Sequence, residues 1–257
     1  MGKSFLFCSG KGGVGKTSTA INLAFSLCGL GKRVALVDAN ISNPNIGFHL
    51  KIPEHVQTLN ELMDNSIKPG KVPGFYNWNL RIVPASYSMG AINNFNEKDL
   101  RETLKRIKLE TEIMLIDSAP GIGSEVMTAM GVTDRVVIVT NPEIPALADA
   151  VKTIKIAENS GVKVEGVVIN RIGRFKHEIK EQEIIKVLDD VPIIGRIPED
   201  SFVANSVSMG LPIVLKYPAA KAAISLREIA SKISGTKENY QVSIIDQLQL
   251  WLEKMRP

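Results

Sequence analysis

Apolar residues in this chain are arranged in two alternating ways. Short continuous runs of Val, Ile, Leu and Phe are separated by longer stretches in which apolar positions recur every three or four residues. The first arrangement suits a strand buried on both faces, the second a helix with one buried side. On this reading strands are predicted at Ser4–Ser9, Arg33–Asp38, Leu80–Pro84, Glu112–Asp117, Arg135–Thr140, Lys163–Asn170 and Pro192–Ile197. Helices are predicted at Lys16–Leu30, Glu97–Leu109, Pro145–Ser160, Glu178–Leu188 and Ala219–Ile233, with a short one near Leu59–Met63. Gly31 and Gly161 follow two of these helices, where a left-handed residue ends the spiral. The alternation predicts an α/β fold, a mostly parallel twisted β-sheet with helices on both faces.

The pattern changes near the end of the chain. Ser234–Gln241 (SGTKENYQ) is polar and reads as a linker between a body, residues 1–233, and a terminal segment, residues 242–257. At about 100° per residue, Ile244, Leu248, Trp251 and Met255 fall within about 60° of one another, with Leu252 flanking them. A C-terminal amphipathic helix is predicted. Trp251 at its apolar edge suits a membrane interface. The polar face, where Asp246 and Glu253 balance Lys254 and Arg256, suits packing on protein instead. Both readings stay open, and both use the same five apolar residues.

The segment GKGGVGKT, Gly10 to Thr17, carries the clearest chemistry. It fits G-x-x-x-x-G-K-[ST] and stands between a predicted strand and a predicted helix. Gly10, Gly12, Gly13 and Gly15 let the backbone turn tightly with its N–H groups inward, an anion nest completed by the positive end of the helix. In such a loop Lys16 lies on the β- and γ-phosphates and the Thr17 hydroxyl coordinates Mg²⁺.

The octapeptide KGGVGKTS, with a second lysine at Lys11, resembles the deviant phosphate loop of the MinD/ParA family of P-loop ATPases, and most of all its MinD-like archaeal members. VDAN (Val37–Asn40), IDSAPG (Ile116–Gly121), VTNPE (Val139–Glu143), VVINR (Val167–Arg171), GRIPED (Gly195–Asp200) and KYPAAKA (Lys216–Ala222) continue the resemblance over roughly residues 3–233. It implies an ATPase of low turnover that binds ATP and Mg²⁺ and dimerises around them. Such a switch would position a division site or a polar or cell-surface structure. The nucleotide contacts it implies are Gly10, Lys11, Gly12, Gly13, Val14, Gly15, Lys16, Thr17, Ser18, Asn170 and Arg171, with backbone around Pro198 and Glu199 completing the base pocket. Lys11 would reach the partner subunit's phosphates. Asp38 and Asp117 would join Thr17 in holding Mg²⁺, the carboxylates through water. One position departs from the family. Where its first switch often has an aspartate that positions the attacking water, this chain has Asn40. An amide orients a water but does not accept its proton as a carboxylate does. Slow hydrolysis, or hydrolysis completed by an activating protein partner, is expected.

Composition narrows the alternatives. With 257 residues, 44% of them hydrophobic, the chain can bury a large core without staples. Its two cysteines, Cys8 and Cys28, show neither disulfide nor zinc spacing, and no secretory signal pattern is visible, so a cytoplasmic setting is expected, peripheral on the inner membrane face if the tail binds lipid. They also lack the CxxC of the related iron–sulfur carriers and of nitrogenase-reductase-like proteins. The net charge of +4 is too small to demand an acidic partner. The cluster Arg171, Arg174, Lys176, His177 and Lys180 is followed by Glu181 and Glu183 and reads as a solvated loop rather than a DNA-binding surface. A ParA-like DNA-partition ATPase and a non-hydrolysing ATP-binding regulator remain the competing readings. His49 and His55 have no partners at metal-ligand spacing.

Overall fold

The computed structural model describes residues 2–53, 56–64, 79–88, 95–189 and 191–236. The terminal segment with Ile244, Leu248, Trp251, Leu252 and Met255, and also His55, lies outside the described residues.

Seven strands form one sheet: β1 (Lys3–Cys8), β2 (Val34–Asp38), β3 (Leu80–Val83), β4 (Ile113–Asp117), β5 (Arg135–Thr140), β6 (Lys163–Ile172) and β7 (Ile193–Pro198). Their spatial order is β3-β2-β4-β1-β5-β6-β7, and every pairing is parallel. The described helices are α1 (Lys16–Gly29), α2 (Ile46–Leu50), α3 (Leu59–Met63), α4 (Glu97–Leu109), α5 (Ser124–Met130), α6 (Ile144–Asn159), α7 (Glu181–Val187), α8 (Ser201–Met209), α9 (Ile213–Lys216) and α10 (Lys221–Ser234).

Alternation along the strands divides the core in two. Phe5, Phe7 and Leu36 face α1 and α10, while Leu6, Cys8, Ala35 and Val37 face the side covered by α4, α5 and α6. In α10 the apolar positions Ala222, Leu226, Ile229 and Ile233 recur at three- and four-residue spacing, and all four are buried. The expected helices on both faces follow from this double burial. The chain builds β2 and β3 on one side of β1, returns to β4, then extends to β5, β6 and β7 on the other. A reversal of this kind opens a crevice at the carboxyl ends of the central strands, where ligands of such sheets bind.

Most predicted boundaries shift by a residue or more, and two of the shifts have a clear local reason. The helix expected from Glu178 begins at Glu181. The Glu178 carboxylate instead accepts from the N–H groups of Gly173 (2.8 Å) and Phe175 (3.0 Å) and closes the preceding loop. Strand β6 passes the expected end at Asn170 and reaches Ile172, because Ile172 still pairs with Pro198. Four short helices, α2, α5, α8 and α9, were not predicted. They are too short for a helical period to show, and side-chain caps help to set two of them. Asp200 accepts from the Phe202 N–H at 3.0 Å in α8, and the Val214 N–H of α9 donates to Asn22 Oδ1 at 3.2 Å.

Candidate functional site: a glycine loop between two strand-end carboxylates

The loop after β1 turns through Gly13 at φ +80° and Gly15 at φ +92°, a left-handed conformation that favours glycine. At Gly12 and Gly13 a Cβ would meet nothing within 4 Å, so this side of the loop is open to a ligand. Gly15 is the cap residue of α1. The Asn170 Nδ2 donates to the Val14 carbonyl at 2.7 Å and braces the loop from β6.

Beneath the loop lies a buried charge cluster. Asp38 and Asp117 end neighbouring strands in direct register, and both are fully buried. Lys16 Nζ donates to Asp117 Oδ1 at 2.6 Å and also to the Ser118 carbonyl. The Thr17 hydroxyl donates to Asp117 Oδ2 at 2.6 Å. The two loop residues expected on phosphate and metal therefore rest on one carboxylate. Among the described residues Asp38 has no ion-pair partner. It accepts from the N–H groups of Asn40 (3.2 Å), Asn45 (2.9 Å) and Ile46 (2.9 Å), which wraps the following loop around it. Burial, and next the charge of Asp117, push its carboxyl up to about 7, against the pull of those three N–H groups. A divalent cation near this pair would relieve that repulsion. The donors present, two carboxylates and a hydroxyl, are all oxygen, as Mg²⁺ requires.

Asn40 is buried, and its Oδ1 accepts no hydrogen bond. A buried amide oxygen without a partner is costly, which marks this position as one that a ligand or ordered water completes. Lys11 stands apart from the buried cluster. Its side chain is 35% exposed and pairs at 3.0 Å with Glu143, itself 31% exposed. The hydrogen bond from Lys11 holds the Glu143 carboxyl below the usual range.

A cavity of about 660 Å³ opens beside the loop. Gly12 to Ser18 line it together with Asn40, Asn170, Arg171, Pro198 and Glu199, so the residues expected around a base share one space with the phosphate loop. Asp38, Asp117, Gly10 and Lys11 are not on its wall. Arg171 holds φ +60°, unusual for a side-chain-bearing residue, and pairs with Glu199 at 4.0 Å. Sequence reasoning missed several residues here. Asn43, Asn45 and His49 also line the cavity, and α8 supplies Val203 and Val207. The signal for α8 was present, an aspartate, Asp200, placed before an apolar run. Glu125 on α5, which accepts from the N–H groups of Ile41 and Ser42, gave no sequence signal at all.

Comparison with known proteins agrees with this geometry. A family model described as ParA, NUBPL iron-transfer P-loop NTPase, matches residues 1–234. An uncharacterised ATP-binding protein of Methanocaldococcus jannaschii is 34% identical over 94% of this chain and 91% of its own. The septum site-determining protein MinD of Thermotoga maritima is 30% identical over 91% of this chain and 89% of its own. Among solved structures, the septum site-determining protein MinD of Pyrococcus horikoshii complexed with Mg-ADP superposes with a TM-score of 0.85 at 28% identity, covering 91% of this chain and 96% of that one. With its glycine loop, its strand-end carboxylates and a family match over nearly its whole length, the chain belongs to the ParA family of P-loop NTPases, with MinD proteins among its relatives.

Proposed function

We propose that the protein is an ATP-driven dimerisation switch of the MinD type. It would bind ATP with Mg²⁺, join two subunits around the nucleotides, and reset by slow hydrolysis. The observation that carries the reading is the contrast between the two loop lysines. Lys16 is buried on Asp117, whereas Lys11 is held at the rim by one half-exposed ion pair. Pairs of this exposure are worth at most about 1 kcal/mol, so Lys11 is free to exchange Glu143 for a phosphate, including one on a second subunit. A cation arriving there neutralises charge that develops on phosphoryl oxygens in the transition state.

Mg²⁺ would supply Lewis acidity at the β- and γ-phosphates, and Thr17, Asp38 and Asp117 would hold it with the phosphates and water. Among the described residues no group of three or more His, Cys, Asp or Glu forms a metal cage. The Mg-ADP bound by the Pyrococcus horikoshii protein supports the same ligand here. Asn170, Arg171, Pro198 and Glu199 would take the base. The tail, residues 242–257, would carry the change of state to a membrane surface or a protein partner. No described helix is long and apolar enough to cross a membrane.

Iron transfer, which the family description includes, finds little support in this chain. Cys8 is fully buried in β1, and burial pushes its thiol up to about 12, far from the thiolate a cluster needs. Cys28 lies on α1 against the core. DNA partition has no comparable observation behind it, and in the loop after β6 Arg171 is paired with Glu199.

Asn40 offers a direct test of hydrolysis. Asn40→Asp supplies the missing proton acceptor and should raise single-turnover phosphate release by at least about tenfold while leaving nucleotide affinity within a factor of about two. An unchanged rate in the variant would remove Asn40 from control of the water.

A further inference from the structure

We infer that Glu125 is a positioning residue that ties the loop after β2 to the loop after β4, so that the two move together. The inference rests on the reading of these loops as the nucleotide-sensing segments. The loop after β2 is held by two carboxylates. Asp38, at its root, accepts from Asn40 at one end and from Asn45 and Ile46 at the other. Glu125 grips the middle: the Ile41 N–H donates to Oε2 and the Ser42 N–H to Oε1, each at 3.1 Å. Glu125 belongs to α5, the helix that follows the loop after β4. That loop leaves β4 at Asp117 and carries the Ser118 carbonyl, both on Lys16, and Gly121, whose N–H donates to the Ser9 carbonyl at 2.8 Å beside the glycine loop.

One short segment thus touches the glycine loop at its start and the Asn40 loop at its end. Asn40 sits between the two carboxylate clamps, directly before Ile41. The height of its unpartnered Oδ1 is set on one side by Asp38 and on the other by Glu125. When Lys16 leaves Asp117 and Ser118 for a phosphate, a shift of the second loop is passed by the Glu125 carboxylate to Ile41 and so to Asn40. Two hydrogen bonds to one charged carboxylate are strong enough to transmit it. A side chain that only stabilised α5 would have no reason to bond two successive N–H groups of another loop.

The test is amide hydrogen exchange and ATP kinetics on full-length wild type, Glu125→Ala and Glu125→Gln. In Glu125→Ala without nucleotide, exchange at Ile41 and Ser42 should rise by at least about tenfold, with β1 amides unchanged. Glu125→Gln keeps one acceptor oxygen and should give an intermediate rise. With Mg²⁺ and a non-hydrolysable ATP analogue, wild type should protect residues 40–46, and Glu125→Ala should bind the analogue without that protection. In steady state kcat should fall in both variants, more in Glu125→Ala, with KM for ATP within a factor of about two. Wild-type exchange at Ile41 and Ser42 in Glu125→Ala would overturn the inference, as would a uniform rise that included β1. Failure of wild type itself to bind the analogue would instead strike the nucleotide-switch reading, and the nucleotide-free exchange would still decide the clamp.

Discussion

Lys16→Met should abolish nucleotide binding and also weaken the fold. Among the described residues the Lys16 ammonium is the one cation paired with Asp117, in a site where both side chains are almost fully buried. Asp117 in turn lies in register with Asp38, whose carboxyl already resists ionisation. Methionine fills a similar volume but leaves two facing carboxylates uncompensated. Breaking a buried pair from one side costs about 3–5 kcal/mol, and in a domain of this size the melting midpoint should fall by on the order of 10 °C. The stabilisation by Mg²⁺ and ATP expected of wild type should be absent in the variant. Thermal melts with and without nucleotide check both parts. An unchanged midpoint would mean that the Lys16–Asp117 pair contributes nothing to stability, and a retained nucleotide shift would contradict the role of Lys16 in binding.

Gly15→Ala should lower nucleotide affinity by at least about tenfold and cost about 1–3 kcal/mol of stability. Two separate obstacles meet at this residue. Its φ of +92° is strained for any L side chain, and an added Cβ would lie 2.1 Å from Asn170 Nδ2. Asn170 cannot simply swing aside, because that same nitrogen holds the Val14 carbonyl. The variant therefore disturbs the phosphate loop and the base side of the cavity together. Titration with a fluorescent ATP analogue measures the loss, and wild-type affinity would show that the loop tolerates the displacement. Gly29→Ala, at the far end of α1 where a Cβ meets nothing within 4 Å, is the comparison that separates crowding at one glycine from a general effect of losing one.

Much of this arrangement was legible in the residues. Continuous apolar runs such as those of β1, β2 and β4 have one reading when helical periods separate them, and the parallel sheet followed. The glycine loop was legible because its residue types are dictated by backbone geometry, and Asp38 and Asp117 because each closes an apolar run. What stayed hidden depends on the tertiary fold. No local pattern says that Glu125 will meet Ile41 and Ser42, more than eighty positions away in the chain. Nor does any say that Lys11 will be held by Glu143, although VTNPE had already been matched to the family. Helix α5 has seven residues, too few to reveal a period, and its exact placement is what brings Glu125 to its partners. The asparagine at position 40 is visible in the sequence, but that its Oδ1 is buried without a partner is a property of the folded chain.

In the proposed switch, ATP joins two subunits through Lys11. Light scattering on the size-exclusion-purified full-length chain, without nucleotide, with Mg²⁺ and ADP, and with Mg²⁺ and ATP, tests it most directly when wild type is run beside Lys11→Ala. The expected result is a dimer only with ATP, lost in Lys11→Ala while that variant still binds nucleotide. A wild type that stays monomeric with ATP, or a Lys11→Ala variant that dimerises as wild type does, would contradict it.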